Sequence, residues 1–192
     1  MVKQKTKLHF NEVPKCPVDT LKQVGVVDTI QNISKEKYFH FDFDVYLPEF
    51  KMNLQRPYVW TDKMASAYII SVFQERIMLP VYVNVKLDED IIEVIDGKQR
   101  IMTLLRYYKN EFPIVVNGKQ YYYSDLDENM QIFFRLYHVS GIQHYEHMNM
   151  KNTILTDKQK IDWFMYINCS NVPQNSEHIS KLLNAKLKAI KP

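Results

Sequence analysis

The sequence predicts an α+β fold, and three observations support this class. Two apolar runs, residues 80–85 and 91–95, have the length and the β-branched composition of buried strands. Helical periodicity follows two start signals, Thr61 and Gly97, so helices are interleaved with these strands. No internal repeat interrupts the 192 residues, a length that suits one compact domain with a sizeable core.

The N-terminal part of the chain gives the weakest structural signals. Residues 1–37 are rich in Lys, Gln, Val and Thr, and we expect them to wrap the domain as an arm. Within that arm, residues 18–33 are predicted to form a short helix. Aromatic residues then alternate with His40 and Asp42 over residues 38–43, which is typical of a strand.

The middle of the chain gives clearer helix and turn signals. Thr61 is a good N-cap residue, and Asp62 follows it in the first turn of the predicted helix. The apolar residues expected on the inner face of this helix are Met64, Ala67, Tyr68, Ile70, Val72 and Phe73. Asn117 and Gly118 form the commonest two-residue turn signal, so residues 112–123 are predicted to form a hairpin.

The C-terminal third is predicted to hold another strand between helices. Ser124 or Asp125 is expected to cap a short helix, and residues 133–145 read as a strand. Thr156 and Gln159 have the spacing of a capping box, which predicts a further helix beginning there.

Composition excludes several classes of protein. Hydrophobic residues make up 46% and charged residues 24%, as in ordinary folded proteins, and a net charge of +3 is too small to identify a nucleic-acid binder. Cys16 and Cys169 have no partner at disulfide-scaffold or zinc spacing, which favours a reduced, cytoplasmic protein. No run approaches the roughly 20 apolar residues of a membrane helix, and no apolar segment follows the basic N-terminus as in a secretory signal.

The most informative stretch is residues 91–101, IIEVIDGKQRI, in which a predicted apolar strand ends in Asp96 and Gly97 and a helix begins. Its glycine turn brings a carboxylate to the start of a helix, where unpaired N–H groups and the helix dipole favour an anion. Asp96 can hold Mg²⁺ or orient a water molecule. Arg100 can grip phosphate oxygens with two donors, and Lys98 can neutralise charge. The alternative is a turn that only caps a helix, with Lys98, Gln99 and Arg100 solvated.

A second segment, LQRPYVW, places an arginine just before a predicted helix. Pro57 forces Arg56 out of the helical region, so Gln55 and Arg56 are predicted to lie in a loop. An arginine held there can reach an anion or stack on a base, and the alternative is a surface loop whose aromatic residues cover the core. A third segment, the polar loop that begins at Asn168, is by itself ordinary punctuation between helices.

Together and in this order, LQRPYVW, LPVYV, EVIDGKQRIMTLLRYY and FMYINCSNVPQNSEHISKL resemble a known family. They look like the DGQQR-motif domain of the ParB/sulfiredoxin-like fold, the N-terminal domain of GmrSD-type modification-dependent restriction enzymes. The resemblance covers about residues 42–185. It implies a small mixed sheet with flanking helices and a C-terminal helical part, in one domain over residues 38–192 after the arm.

The resemblance also implies a function, namely nucleoside triphosphate binding and hydrolysis that control DNA cleavage, together with sensing of modified DNA. By position in the family's motifs, the resemblance assigns Asp96, Gln99 and Arg100 as catalytic residues. It assigns as nucleotide- and phosphate-binding residues Gln55, Arg56, Gly97, Lys98, Arg100 and Asn168. The implied ligand is a nucleoside triphosphate with Mg²⁺ held through Asp96. Lys98 stands where the family has a glutamine, and the glycine that usually follows the third-motif asparagine is replaced.

Three readings of function remain open at the level of sequence. The first is a nucleotide-binding, NTP-hydrolysing sensor domain of a restriction or phage-defence system, with DNA and a separate nuclease subunit as partners. The His-Asn-His nuclease motif of GmrSD-type proteins is not found in these 192 residues, so either a separate subunit supplies the nuclease or the domain works alone as a nucleotide-dependent sensor. The second is a DNA-binding or partner-binding module without turnover. The third, DNA nicking by the domain itself, has little support because the motif carries a single carboxylate.

Overall fold

The structure is a computed structural model that describes residues 24–76, 78–150, 153–169, 177 and 180–185. It confirms the predicted α+β class. The strands in this part of the chain are β1 (Val24–Thr29), β2 (His40–Asp42), β3 (Tyr46–Leu47), β4 (Met52–Asn53), β5 (Val81–Lys86), β6 (Ile91–Asp96), β7 (Ile114–Val116), β8 (Lys119–Tyr121) and β9 (His138–Glu146). The α-helices are α1 (Ile30–Ser34), α2 (Asp62–Phe73), α3 (Lys98–Tyr108), α4 (Glu128–Arg135) and α5 (Asp157–Cys169).

A mixed five-stranded sheet with the order β1-β9-β5-β6-β2 organises the described residues. Strand β6 is antiparallel to β5 and parallel to β2, while β9 is parallel to β5 and antiparallel to β1. Because β2 and β6 are parallel, their carboxyl ends meet at the same edge of the sheet. The loop after Asp42 and the turn after Asp96 therefore lie side by side.

Strand β6 is buried on both faces, as its unbroken apolar sequence predicts. Ile92 and Val94 face a core that includes buried residues of α1, α2, α3 and α4. Ile95 faces a second core that contains Trp163 and Phe164 of α5 together with apolar side chains around β3 and β4. Residue 95 is thus fixed from one side and residues 92 and 94 from the other, which leaves the carboxyl end of β6 rigidly placed.

A buried ionic network joins α5 to the second face of the sheet. The Glu93 carboxylate accepts from the Lys160 ammonium at 2.7 Å and from the Asn84 amide at 2.8 Å. Asn84 also donates to Glu146 at 2.9 Å, and Glu146 accepts from the Leu155 N–H at 2.7 Å. Burial alone would raise the pKa of Glu93, but the charge and hydrogen bond of Lys160, with help from Asn84 and Lys86, hold it below the usual value.

Several predicted elements are confirmed at their capping or turn residues. Thr61 accepts from the Met64 N–H at the start of α2, and β7 and β8 form the hairpin predicted around Asn117 and Gly118. The capping box of α5 is present, since the Gln159 side chain accepts from the Thr156 N–H while the Thr156 hydroxyl accepts from the Gln159 N–H. These signals are local, so tertiary contacts do not alter them.

Other predictions fail because tertiary pairing overrides local pattern. Residues 24–29 of the predicted helix form strand β1, which pairs with β9, and only residues 30–34 are helical. The described part of the expected arm is thus part of the sheet domain, with Ile30 and Ile33 buried in its core. Residues 1–23 lie outside the described part of the chain.

The position predicted for the helix before β9 is also wrong. Helix α4 is capped by Asp127 rather than by Ser124 or Asp125, which lie in a 3₁₀ turn. Residues 133–135, predicted as strand, are its last turn, and the strand begins at His138. None of the helices in the described ranges has both the length and the apolar character that a bilayer crossing requires.

Candidate functional site

Gly97 forms the turn that links β6 to α3, and its conformation requires glycine. Its φ is +113°, and a Cβ at this position would meet the Val81 Cβ at 2.8 Å and come closer still to one Val81 methyl. Helix α3 has no side-chain cap and no acidic residue in its first turn. By contrast, Thr29, Thr61 and Asp127 cap α1, α2 and α4 with their side chains. The first N–H groups of α3 are therefore left for another acceptor.

The Lys98 side chain leaves the first turn of α3 toward β2. It is buried, and its ammonium donates to the exposed Asp44 carboxylate at 2.5 Å. Asp44 itself is placed by Asp42, whose carboxylate accepts from the Asp44 and Val45 N–H groups at 2.9 Å. The cation predicted to neutralise phosphate charge is thus already held by a carboxylate from the neighbouring strand end.

The Arg100 side chain turns toward β5 and back toward the end of β6. Its Nη2 donates to Asp96 Oδ2 at 2.7 Å, while its Nη1 donates to the backbone oxygens of Leu79 and of Pro80, the latter at 3.0 Å. Asp96 and Arg100, both predicted catalytic, therefore meet and neutralise each other. Asp96 is accordingly a carboxylate with one oxygen engaged, rather than a free metal ligand.

Gln55 and Arg56 reach the same edge of the sheet from the loop before α2. The buried Gln55 amide donates to the backbone oxygens of Val94, at 3.1 Å, and of Ile95, near the end of β6. Arg56 is half-buried, and it has no hydrogen bond or ion pair with any other described residue. It differs in this respect from Lys98 and Arg100.

Gln99 binds the loop that carries Arg56. Its Oε1 accepts from the Val59 N–H at 2.9 Å, and its Nε2 donates to the Pro57 oxygen at 3.1 Å. Since Gln55 is tied to residues 94 and 95 and residue 57 is tied to Gln99, Arg56 is anchored beside the Gly97 turn from both sides. Gln99, predicted as catalytic, uses both ends of its amide for this anchoring.

Two further residues of α3 support the same loop, and sequence reasoning did not single them out. The Thr103 hydroxyl lies 2.8 Å from the Tyr58 hydroxyl, and the Arg106 guanidinium stacks 4.8 Å from the centre of the Tyr58 ring. The sequence does contain a signal for their role. Residues 99, 103 and 106 lie three or four positions apart, so they share one face of α3.

This arrangement predicts that Gln99 controls the order of the Arg56 loop. Replacing Gln99 with leucine removes two hydrogen bonds, together worth about 2 kcal/mol. We expect the Val59 amide to exchange with solvent at least about tenfold faster, because each 1.4 kcal/mol corresponds to a factor of ten. Gln99→Glu keeps the acceptor for the Val59 N–H and should keep part of the protection. Unchanged Val59 exchange in Gln99→Leu, measured by NMR, would show that the amide does not hold the loop.

No described contact joins Asn168, a predicted site residue, to the turn. It is buried near the end of α5, and its amide donates to the Phe164 oxygen at 2.8 Å. Along α5, Lys160 lies at Glu93, and Trp163 packs on Tyr82, the residue paired with Asp96. The helix thus runs toward the edge of the sheet that carries the turn, and residues 170–176 after it lie outside the described part.

No cluster of three or more His, Cys, Asp or Glu side chains suited to a metal ion occurs among the described residues. Magnesium bound to a triphosphate needs only one or two protein carboxylates, because phosphate oxygens and water complete its shell. Asp44 and Asp96 are two carboxylates at this edge of the sheet, each held by a cation of the α3 first turn. Their chemistry fits a phosphate-borne Mg²⁺ and does not fit a metal held by protein ligands alone.

Comparison with known families identifies a family that matches most of the chain. The model of the family described as "GmrSD restriction endonuclease, N-terminal domain" matches residues 30–190, which include all three predicted site segments. No curated protein and no solved structure matches the chain.

Proposed function

Because the chain belongs to the family of GmrSD restriction endonuclease N-terminal domains, we propose that it binds the phosphates of a nucleoside triphosphate at the Gly97 turn. The match over residues 30–190 confirms the resemblance inferred from the three motifs. The family gives the wider setting, a component of a restriction system that acts on DNA. Within that setting the domain would be the part that responds to nucleotide.

The proposal rests on the surroundings of Arg56. A half-buried arginine without a partner among the described residues is held from both sides beside a helix start that has no cap. Its planar guanidinium matches two phosphate oxygens, and the free N–H groups of α3 supply further donors. Lys98 and Arg100 each have a carboxylate partner, whereas Arg56 has none among the described residues, so its positive charge is left to attract an anion.

Hydrolysis is proposed to depend on an exchange of partners at Arg100. A phosphate oxygen competes with Asp96 for the Arg100 donors, because both are anionic acceptors for the same Nη2 group. Asp96 released in this way is free to hold Mg²⁺ or to orient the attacking water. Magnesium, carried in on the triphosphate, would supply charge neutralisation at the phosphate oxygens.

The first test is the affinity of an Arg56→Ala variant for a nucleoside triphosphate. One hydrogen bond to a charged group contributes about 1.5–3 kcal/mol, so we expect a loss of roughly 10- to 100-fold in affinity by isothermal titration. The thermal midpoint should not fall, since Arg56 has no partner to lose among the described residues. Arg76→Ala, which removes an exposed arginine beyond α2, is the matched control and should bind as the unmodified protein does.

Two results would contradict the proposal. One is equal nucleotide affinity in Arg56→Ala and Arg76→Ala. The other is DNA binding that falls steeply with salt while no nucleotide binds, which is the signature of the alternative module without turnover. Release of inorganic phosphate, followed with Mg²⁺ in the same samples, separates a hydrolase from a domain that only binds.

A further inference from the structure

Arg100 also lines a pocket on the side of the Gly97 turn away from Lys98. The pocket has a volume of about 220 Å³ and lies between α2, α3 and the strands β5 and β9. Its apolar walls include Val81, Ile101 and Leu104, and its polar groups include Tyr68, Tyr137 and Arg100. Apolar walls with a few convergent polar groups occur in small-ligand sites.

The two tyrosine hydroxyls give this pocket unused hydrogen-bonding capacity. Neither the Tyr68 nor the Tyr137 hydroxyl has a hydrogen-bond partner among the described residues. Neither oxygen is among the buried, unpaired polar atoms of these residues, so a ligand can reach both. Burial raises the pKa of Tyr68, against the opposing charge of Arg100, and burial also raises the pKa of Tyr137. Both are therefore neutral phenols at physiological pH, able to donate and to accept.

The pocket communicates with the Gly97 turn and with solvent. Val81 is both a wall of the pocket and the residue against which Gly97 packs, and Arg100 binds Asp96 at the end of β6. At the rim lie Leu79, which is 78% exposed, and the exposed Ser140. A ligand that enters past Leu79 and Ser140 would thus lie within one side chain of the proposed phosphate site.

We propose that this pocket receives a nucleobase. Its volume is below the roughly 300–1,000 Å³ of clefts for drug-sized ligands, which suits a single planar ring system. Base edges carry the acceptors and donors that two phenols and a guanidinium satisfy, and base faces stack on tyrosine rings and pair with arginine. The base has two possible sources. It belongs either to the nucleotide whose phosphates bind at the Gly97 turn, a source that rests on the proposed function, or to a nucleotide flipped out of DNA.

The chain carries its own reporter for this pocket. Trp60 packs edge-on against Tyr68, with ring centres 5.2 Å apart, whereas Trp163 lies on the other face of the sheet against Tyr82. A base that contacts Tyr68 should change the fluorescence of Trp60. The Trp60→Phe variant identifies which tryptophan gives the signal.

The test titrates adenosine, guanosine, cytidine and thymidine into the protein and follows tryptophan fluorescence. We expect at least one nucleoside to change the Trp60 signal, and Ser140→Phe, which narrows the mouth, to weaken its binding about tenfold, since stacking contributes about 1–3 kcal/mol per base. Gln120→Phe, at a strand position in β8 that is also exposed, is the matched control and should bind as the parent does. Equal nucleoside affinity in Ser140→Phe and Gln120→Phe, or no nucleoside signal at all, overturns the proposal.

Two further arms distinguish the source of the base and isolate the phosphate site. If the base belongs to a free nucleotide, a nucleoside triphosphate binds more tightly than tripolyphosphate, which has no base. Ser140→Phe should then abolish this difference in affinity. If the base belongs to DNA, a duplex with a mismatch binds more tightly than a fully paired duplex, because a mismatched base is easier to flip out. This preference should be seen in the parent protein and be lost in Ser140→Phe. Absence of both preferences overturns the proposal. Tripolyphosphate that fails to bind contradicts the phosphate site alone, because nucleoside binding is measured without phosphate.

Discussion

The Gly97→Ala variant is expected to lose about 3–5 kcal/mol of unfolding free energy, the sum of backbone strain at a positive φ and forced overpacking. The added methyl meets Val81, the first residue of strand β5, and the end of β6 cannot shift away because β6 is packed on both faces. Urea denaturation monitored by circular dichroism measures this as a lower midpoint at constant slope. The same change displaces the first turn of α3, so nucleotide binding should be lost as well.

Gly118→Ala is the matched control for that effect. Gly118 has φ +75° in the β7–β8 hairpin, but nothing lies within 4 Å of an added Cβ. Only the backbone cost remains, about 1 kcal/mol for an alanine in the left-handed region. A Gly97→Ala loss no larger than that of Gly118→Ala would mean that the Val81 contact relaxes freely, and the close approach would then not explain why glycine stands in the turn.

The turn itself could be predicted from sequence because its signals are local. An apolar strand, an Asp-Gly pair and the beginning of helical periodicity lie within ten residues, and each restricts the backbone without help from elsewhere. The contact between Gly97 and Val81 could not be predicted in the same way. It depends on the antiparallel register of β5 and β6, in which residue 82 pairs with residue 96.

The side-chain partners at the site could not be predicted from the sequence, for a related reason. Lys98 and Asp44 are 54 positions apart, and only the parallel pairing of β2 with β6 brings them together. The sequence therefore identified Lys98, Gln99 and Arg100 as a group of polar residues at one turn, whereas the helix sends them in three directions. Successive residues on a helix differ by about 100°, so neighbours in a motif seldom act on the same atom.

The inner face of α2 shows the same limit on a smaller scale. Hydrophobicity placed Met64 and Ala67 inside, but both are exposed. The prediction was right for Val72, but it missed the buried residues Ala65, Ser66 and Ile69. Ser66 is inside because its hydroxyl accepts from the Val115 N–H at 3.0 Å at the start of the β7–β8 hairpin. A polar residue that satisfies a backbone group of another element cannot be recognised from its own helix.

The second large effect is expected at the ionic network beneath α5. Lys160→Met leaves the Glu93 carboxylate buried with one of its two ammonium partners removed, and breaking a buried pair in this way costs about 3–5 kcal/mol. The lower end of that range applies, because Lys86 remains 3.4 Å from Glu93 and Asn84 still donates to it. Urea denaturation at pH 7 measures the loss. The exposed pair of Lys181 and Glu177 supplies the control, and Lys181→Met should leave the midpoint where it is.

The pH dependence decides whether this loss comes from the charge of Glu93 or from packing alone. The folded-state pKa of Glu93 lies below its ordinary value of 4.5, so its ionised form contributes stability that is complete above pH 4.5 and is lost as pH falls through the folded pKa. Lys160→Met removes the largest force that lowers this pKa, so the variant has less stability to lose in acid. The gap between parent and variant should therefore narrow below pH 4.5. A gap that stays constant from pH 7 to pH 3 would assign the loss to the aliphatic part of Lys160, and α5 would then be held to the sheet by apolar packing rather than by the buried charges.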